Sequence, residues 1–402
     1  MKFSDLDGKR IALWGLGRET RAFRAQLELR LPAATISATI DDATPQAEAR
    51  AVLAGADVLV RSPGVSIYKP LIQEAIQAGA TVTTATALWL AERDGRHVIG
   101  VTGTKGKSTT ATIIAHLLAQ VTPVELAGNI GRPVIGLLDT PLATRVVCEL
   151  SSYQIADLTV GPEVAVLTNL SREHTDWHGS EQRYRADKLR LFELPGVRAA
   201  VRPLGDRGGW PLVVPPEQIP LRGRHNAENV SAAMAAIEAA GFAAPPLPQS
   251  LIGLTALPHR LQTVHTDERG AEWVDDSIST TPESAIAALE AFAARAVVLI
   301  AGGSERDQDY ARLGETLAAR TDPTRLVLLP VTGAAIGAAA ASRGFARDRM
   351  STAGDMREAT RLARALVAPG GVVLLSPAAP SFNSYANFEE RGDDFAALAL
   401  RA

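Results

Sequence analysis

The stretch HVIGVTGTKGKSTT, residues 97–110, decides the fold of this chain. Its apolar beginning, residues 97–101, is typical of a short buried strand, and apolar residues recur at helical spacing after Thr110. The glycines between the two allow backbone amides to curl around an anion, and the N-terminus of a helix favours negative charge. Strand, glycine-rich loop and helix, in this order, predict a phosphate-binding loop.

Two residues of this loop carry its polar chemistry. Lys107 can neutralise phosphate charge, and the Ser108 hydroxyl can bind magnesium. The spacing is G-x-x-G-K-S, which is shorter than the G-x-x-x-x-G-K-[ST] of the general P-loop, so the sequence predicts a shorter variant. A surface turn rich in glycine and lysine is the alternative, but the flanking strand and helix favour phosphate binding.

Length and composition limit the class of protein. A chain of 402 residues predicts two or three domains, and 46% hydrophobic with 21% charged residues excludes a disordered chain. The 41 basic and 44 acidic residues give a net charge of −3, so no nucleic-acid partner is expected. Cys148 is the only cysteine, which excludes an intramolecular disulfide and a cysteine-rich zinc site. No stretch has the layout of a signal peptide or a spanning helix, so we expect a cytoplasmic protein without membrane insertion.

Apolar runs that end in glycine also mark the first part of the chain. Residues 11–14 lead into GLG at 15–17, and residues 58–60 are followed closely by SPG at 62–64. A strand with a glycine turn before a helix is typical of a nucleotide-binding α/β unit. Thr20 replaces the third glycine of G-x-G-x-x-G, so a dinucleotide site is only weakly indicated and an NAD-dependent oxidoreductase is disfavoured.

Three polar residues of the central segment carry candidate chemistry, each with an ordinary alternative. Glu149 follows an apolar run at 146–148, where P-loop enzymes place a magnesium-binding acid, although an acid at a strand end can also face solvent. His174 lies a few residues beyond the run at 164–167 and also fits an ordinary polar loop. Lys188 lies in a charged helical stretch, where a solvated lysine is the ordinary expectation.

The last third of the chain alternates apolar strand-like runs with helical stretches, which predicts a parallel, doubly wound sheet. The runs cover 273–274, 296–301, 326–329 and 372–375, and the helical stretches cover 282–294, 309–320 and 356–367. Ligands on such sheets bind at the carboxyl ends of the strands. The polar segments 275–281, 302–309 and 376–387 are therefore the candidate binding loops.

Taken in order along nearly the whole chain, the motifs of this sequence resemble those of the Mur ligases and of folylpolyglutamate synthetases. Single motifs are weak, but their number and order are specific. They are segments 101–110, 127–131 and 149–154, Asn169 with His174 and Asp176, and segments 184–188, 223–229 and 257–260. Segment 376–392 is similar to the signature of the glutamate-adding Mur ligases and disfavours a folylpolyglutamate synthetase.

The resemblance implies an α/β protein of three domains. These are an N-terminal Rossmann-like domain for UDP (1–94), a central P-loop ATPase domain with a mostly parallel sheet (95–257), and a C-terminal Rossmann-like domain for glutamate (258–402). It also implies an ATP-dependent ligase of peptidoglycan precursor synthesis, acting as a monomer. Such an enzyme joins glutamate to UDP-N-acetylmuramoyl-L-alanine through an acyl phosphate.

The resemblance further implies a role for individual residues. Lys107, Lys188, His174 and Asn129 would serve catalysis directly. ATP would be bound by Gly103, Thr104, Lys105, Gly106, Lys107, Ser108, Thr109, Asn229, Arg260 and Asp276. Two Mg²⁺ ions would be held by Ser108, Glu149, His174 and Lys188, with Lys188 carried as a carbamate. The UDP-substrate would contact Gly15, Gly17, Ser62, Pro63, Gly64 and Asn129, and glutamate would contact Thr280, Arg306, Ser381 and Phe388.

The sequence departs from the usual glutamate-adding pattern in two loops. Ile278 and Arg306 stand where that pattern has lysines, and arginine binds a carboxylate through a longer, planar fork. These departures indicate a rebuilt amino-acid pocket, and the opening at 12–18 resembles a divergent branch of the family that adds L-glutamate, which we therefore favour. Addition of D-glutamate and a catalytically inactive nucleotide-binding protein are the alternatives. The chain is also short for the family, and segment 188–226 is where we expect the shortening.

Overall fold

The computed structural model describes residues 1–171, 175–204 and 209–401. These residues form three sheets, and helices alternate with the strands along the chain, which confirms the predicted α/β class. The contacts divide the chain into two compact units, residues 1–218 with 225–252 and residues 219–224 with 253–402. The first unit holds two sheets and the second unit holds one, while the domain boundaries given above stay a prediction.

The first sheet is parallel and has the strand order β2-β1-β3-β4. Its strands are β1 (Arg10–Trp14), β2 (Thr35–Ile40), β3 (Val58–Arg61) and β4 (Thr81–Thr83), and its helices are α1 (Arg18–Arg30), α2 (Gln46–Gly55), α3 (Pro70–Gln77) and α4 (Ala85–Arg93). Alternate residues of a strand face opposite sides. Ile11 and Leu13 belong to one apolar cluster and Ala12 and Trp14 to another, so β1 is buried on both faces and reads as a continuous apolar run.

The central sheet is parallel and has the order β6-β7-β5-β8-β9. Its strands are β5 (Val98–Thr102), β6 (Val124–Gly128), β7 (Arg145–Glu149), β8 (Val164–Leu167) and β9 (Ala199–Val201), and its helices are α5 (Lys107–Leu118), α6 (Ser152–Ile155), α7 (Thr175–His178), α8 (Glu181–Leu189) and α9 (Arg224–Ala239). Because β5 lies between β7 and β8, the segments that follow these two strands flank the predicted phosphate loop on either side.

The first two sheets share one apolar cluster and one buried ion pair. Side chains of α1 and α4 belong to the same cluster as side chains of β5 and β7. Arg61, at the end of β3, places Nε 2.7 Å from Asp157 Oδ2, and both side chains are 0% exposed. Arg61 also donates to the carbonyls of Tyr153 (2.8 Å) and Val65 (2.7 Å), so its guanidinium connects the two sheets.

The third sheet has the order β10-β11-β15-β12-β13-β14, and only β10 runs antiparallel to its neighbour. Its strands are β10 (Gln262–Thr266), β11 (Glu272–Asp275), β12 (Val297–Gly303), β13 (Thr324–Val331), β14 (Met350–Thr352) and β15 (Val372–Leu375), and its helices are α10 (Pro282–Glu290), α11 (Ala311–Ala319), α12 (Gly333–Ser342), α13 (Met356–Leu366) and α14 (Phe388–Leu400). The three predicted polar loops follow β11, β12 and β15. These strands are neighbours, so the loops meet at one edge.

Across the described ranges, no helix combines the length and apolarity needed to cross a bilayer.

Removing one member of the buried ion pair should lower the free energy of unfolding more than replacing both members by apolar residues. Arg61→Met should lower the free energy of unfolding by about 3–5 kcal/mol, because it leaves the buried Asp157 without its cation. Arg61→Met combined with Asp157→Leu should regain part of that loss. Urea unfolding measures both, and Arg24→Met, which breaks the exposed pair with Glu28, serves as the control at under about 1 kcal/mol. A loss in Arg61→Met no larger than in the control would contradict the assignment.

Candidate active site

Two glycines let the phosphate loop pass close to its neighbours. Gly103 and Gly106 have φ values of +150° and +78°, which are rarely adopted by residues with side chains. A Cβ on Gly103 would lie 1.9 Å from Thr168 Oγ1, and a Cβ on Gly106 would lie 2.4 Å from Asn229 Oδ1. The loop is therefore pressed between the segment after β8 and helix α9. Asn229, predicted to bind ATP, lies directly beside it.

The segment after β8 holds the loop by hydrogen bonds. Asn169 Oδ1 accepts from the amide of Lys105 (2.9 Å), and Asn169 Nδ2 donates to the carbonyl of Lys105 (3.0 Å). Thr104 donates its amide to the carbonyl of Asn169 (3.0 Å), and its Oγ1 accepts from the amide of Ser171 (2.9 Å). These bonds fix the backbone of the loop before any ligand binds.

Helix α5 begins at Lys107, directly after the loop. Lys107 Nζ donates to the carbonyl of Thr104 (2.9 Å), and Ser108 is partly exposed in the first turn. The predicted phosphate residues, 103–109, thus combine amides in the first turn of a helix, a lysine and a hydroxyl. That combination suits an anion with bound magnesium.

Glu149 ends β7, beside the loop, and is 1% exposed. Its Oε1 accepts from Asn129 Nδ2 (2.8 Å), whereas its buried Oε2 has no hydrogen-bond partner among the described residues. A buried carboxylate oxygen without a donor is costly, and carboxylate oxygens are ligands that Mg²⁺ prefers. Glu149 therefore fits a cation, and the solvent-facing alternative for this acid is wrong.

Lys188 lies in α8 and is 1% exposed, so the solvated alternative is wrong for this lysine as well. Its Nζ donates to the carbonyl of Gly103 (2.8 Å) and lies 5.1 Å from the centre of the Tyr184 ring. The structure therefore brings Lys188 against the phosphate loop. His174, the remaining predicted magnesium ligand, lies outside the described residues.

The predicted UDP residues meet at the ends of β1 and β3. A Cβ on Gly17 would lie 2.7 Å from Ser62 Oγ, and a Cβ on Gly15 would lie 3.1 Å from Ser62 Cβ. The carbonyls of Pro63 and Gly64 both accept from Trp177 Nε1 at 3.1 Å. The two turns thus lie side by side, at the edge where such sheets bind ligands.

Asn129 connects these two groups of residues. It follows β6, and its carbonyl accepts from Arg18 Nη2 (2.6 Å) at the start of α1, while its side chain donates to Glu149. Sequence reasoning missed Arg18, although it directly follows the first glycine turn. It also missed Arg61 and Trp177, whose partners are remote in sequence.

Asp276 and Arg260 belong to the second unit, as do the predicted glutamate residues. Asp276 is 3% exposed, and its oxygens accept from the amide of Leu261 (3.2 Å) and from Ser376 Oγ (2.8 Å). Burial raises the pKa of Asp276 to about 6, and nearby Arg260 opposes that effect. Asp276 therefore has bonds within the protein as well as its predicted role toward ATP.

The four predicted glutamate residues are spread over the three loops of the third sheet. Thr280 follows β11, Arg306 is exposed on the loop after β12, and buried Ser381 and half-buried Phe388 follow β15. Gln308 Nε2 donates to the carbonyl of Thr280 (2.9 Å) and so ties two of these loops together. Gln308 is a further residue that sequence reasoning missed.

The α/β fold and the predicted phosphate loop are those expected of an enzyme that binds a nucleotide. Residues 101–207 match the Mur ligase middle domain, and residues 259–379 match the Mur ligase glutamate ligase domain. The chain belongs to the Mur ligase family, whose members are ATP-dependent ligases that form amide bonds. This confirms the family that the motifs predicted.

Two curated relatives are similar over nearly their whole length, and both are named UDP-N-acetylmuramoyl-L-alanine–L-glutamate ligase. The one from Micromonospora sp. is 40% identical over 98% of this chain and 97% of its own. The one from Xanthomonas euvesicatoria pv. vesicatoria is 38% identical over 99% and 97%. The first alignment spans 455 positions against 402 residues here, so that relative has internal residues that this chain lacks.

Among solved structures, the MurF ligase from Thermotoga maritima in complex with ADP resembles this chain in fold. The TM-score is 0.59 at 15% identity, over 100% of this chain and 97% of that one. At this identity the likeness extends to the fold alone.

The close approach at Gly103 predicts a local effect on nucleotide binding. Gly103→Ala should lower the free energy of unfolding by about 1–3 kcal/mol, because a methyl group has no room beside Thr168, and should abolish stabilisation by ATP–Mg²⁺. Thermal unfolding with and without ATP measures both effects. Gly136→Ala, where nothing lies within 4 Å of the added Cβ, is the control and should keep the ATP response. An ATP response in Gly103→Ala equal to that of the control would contradict the assignment.

Proposed function

We propose that this protein joins L-glutamate to UDP-N-acetylmuramoyl-L-alanine with hydrolysis of ATP to ADP, a step of peptidoglycan precursor synthesis. The observation that carries the proposal is the buried lysine of the site: Lys188 donates to the first glycine of the phosphate loop. Glu149, one of whose buried oxygens has no hydrogen-bond partner in the described part of the chain, ends the strand next to the one that leads into that loop. The names of the curated relatives support the substrates.

The reaction has two steps. An oxygen of the alanyl carboxylate attacks the γ-phosphorus of ATP, the bond to the β–γ bridging oxygen breaks, and ADP leaves. The neutral amine of glutamate then attacks the carbonyl carbon of the acyl phosphate, phosphate leaves with the bonding electrons, and the amine loses a proton. Negative charge develops on phosphoryl oxygens in the first step and on the carbonyl oxygen in the second, and both need stabilisation.

The residues of the first unit divide this work. The amides of 103–106 and Lys107 would bind the β- and γ-phosphates and hold the γ-phosphorus in place. Ser108, Glu149, His174 and Lys188 would hold two Mg²⁺ ions, which stabilise charge on the transferring phosphoryl group. The glycine turns at 15–17 and 62–64 would bind the uridine diphosphate, and Asn129 would lie near the alanyl group.

Lys188 would serve the metal as a carbamate. Its neutral amine attacks the carbon of CO₂ and loses a proton, which converts a buried cation into a buried anion with oxygen ligands. An anion suits a Mg²⁺ ion better than an ammonium group does. Lys188 is 1% exposed, so a carbamate at its Nζ would be shielded from bulk water.

The loops of the third sheet would bind glutamate. Arg306 would hold one of its carboxylates through a planar guanidinium fork, and Thr280, Ser381 and Phe388 would complete the pocket. Ordinary D-glutamate addition is the second candidate, because the substitutions at 278 and 306 do not themselves define a chirality. A cytoplasmic monomer stays our prediction for the form of the enzyme.

Purified protein, UDP-N-acetylmuramoyl-L-alanine and each glutamate enantiomer test the proposed reaction. We expect kcat/KM for L-glutamate to exceed that for D-glutamate at least about tenfold, which corresponds to 1.4 kcal/mol of transition-state binding. Mass spectrometry of the product and phosphate release are the measurements. Lys107→Ala should lose turnover with both, because phosphate charge is no longer neutralised, whereas the exposed Lys9→Ala should not.

Each other outcome decides against part of the proposal. Equal or faster turnover with D-glutamate would replace the L-enantiomer by the D-enantiomer. No phosphate release with either enantiomer would favour a nucleotide-binding protein that has lost catalysis. Normal turnover in Lys107→Ala would remove Lys107 from the ATP site.

Chemical rescue tests the carbamate. Lys188→Ala should lower kcat at least about 100-fold, because an anionic metal ligand is lost, and added acetate or formate should restore part of it. The same additions should not restore Lys107→Ala, which lacks a cation. The absence of any rescue of Lys188→Ala at high carboxylate concentration would contradict the carbamate and leave the fold untouched.

A further inference from the structure

Asp187, the residue before Lys188, contacts Tyr68 in the segment that follows β3. Asp187 is 8% exposed, and its two oxygens accept from the Tyr68 hydroxyl at 2.7 and 2.8 Å. Burial and the bond to Asp187 raise the pKa of Tyr68, so the hydroxyl stays protonated and donates. Asp187 Oδ2 also lies 2.7 Å from His178 Nδ1. Because a carboxylate only accepts, His178 Nδ1 carries a proton in this contact.

His178 continues this chain of hydrogen bonds to helix α6, which follows Glu149. It is 0% exposed, and its Nε2 lies 2.9 Å from Ser152 Oγ. Ser152 begins α6, three residues after Glu149. Tyr68, Asp187, His178 and Ser152 therefore form one continuous chain, which we call the Tyr68–Ser152 relay.

The relay begins in the segment that carries the predicted UDP residues. Ser66 Oγ donates to the carbonyl of Trp177 (2.7 Å), and Trp177 Nε1 donates to the carbonyls of Pro63 and Gly64. The Trp177 ring stacks on Tyr153 at 4.5 Å. Segment 62–68 is thus held on α6 and α7 by side chains adjacent to the relay.

The distances in the relay resemble those of a serine hydrolase triad, but its burial excludes that chemistry. Ser152, His178 and Asp187 are 2%, 0% and 8% exposed, so no substrate carbonyl can reach the serine hydroxyl. Within the described residues, the hydrogen bonds of the three side chains go to one another and to Tyr68. The relay therefore holds parts of the structure in position.

We propose that Tyr68, Asp187 and His178 are positioning residues that couple segment 62–68, which carries the predicted UDP residues, to Lys188. Successive residues of a helix point about 100° apart. Asp187 faces segment 62–68, whereas Lys188 faces the phosphate loop. A fixed position of Asp187 therefore fixes the rotation of α8 about its axis and the position of Lys188 Nζ. Binding of the UDP-substrate to segment 62–68 would hold Tyr68 and, through Asp187, hold Lys188 for phosphoryl transfer. This inference rests on the proposed function.

Hydrogen–deuterium exchange of the full chain, with and without UDP-N-acetylmuramoyl-L-alanine, tests the coupling directly. In the wild-type protein the substrate should slow exchange both in 62–68 and in α8. Tyr68→Phe removes only the hydroxyl, so slowing in 62–68 should remain and slowing in α8 should be lost. Tyr385→Phe removes the same kind of bond, from a tyrosine to Asp394 in the second unit, and should keep the slowing in α8.

The kinetic test separates positioning from binding. Tyr68→Phe should lower kcat about tenfold, since a hydrogen bond to a charged group is lost, with KM for the UDP-substrate changed less than about threefold. Asp187→Asn should also lower kcat. Adding Tyr68→Phe to Asp187→Asn should lower it no further, because both act through one link.

The outcomes distinguish this inference from the proposed function. If the UDP-substrate slows exchange nowhere in the wild-type protein, the proposed function fails. If it slows 62–68 but not α8, or if Tyr68→Phe behaves as the wild type, the coupling is wrong and the proposed function stands. Additive losses in the double variant would likewise overturn a single shared link.

Discussion

The backbone of Gly103 passes so near Thr168 that no side chain fits between them, and the arrangement of the site depends on that approach. Strand β5, which leads into the phosphate loop, lies between β7 and β8 in the sheet. Glu149 at the end of β7 therefore lies on one side of the loop, and segment 168–171 after β8 lies on the other. Lys188 then reaches the loop through the Gly103 carbonyl. A sheet of another strand order would separate these groups.

Polar and charged side chains buried inside the first unit bridge its two sheets. Glu19 of α1 accepts from the amide and hydroxyl of Thr86 and from Gln154 Nε2, and burial raises the pKa of its carboxyl group. Such groups add little net stability compared with apolar residues of the same size, but their contacts form only when the two sheets pack in this arrangement. We therefore regard Glu19 and Arg61 as residues that select a single packing of the first sheet on the second.

The sequence predicts what depends on neighbouring residues and misses what depends on remote ones. The phosphate loop and the three polar loops were predicted because spacing along the chain determines where strands end. Lys188 has the local pattern of an exposed helical residue, so only its resemblance to a family motif pointed to the site. Arg61, Trp177 and Tyr68 act on partners about 100 positions away, and no local pattern reports such contacts. Strand β10 was missed because its residues are half exposed and polar.

The proposed division of binding roles among the three sheets has a consequence for how such enzymes diverge. The residues predicted to bind glutamate lie in loops of the third sheet, and Arg306 among them is exposed. Gly103 and Gly106 face atoms closer than any side chain allows. Mutation can therefore explore new amino-acid substrates in one unit while selection keeps the phosphate loop constant in the other. Evolution of specificity in this lineage should then proceed by exchange of the loops 275–281, 302–309 and 376–387.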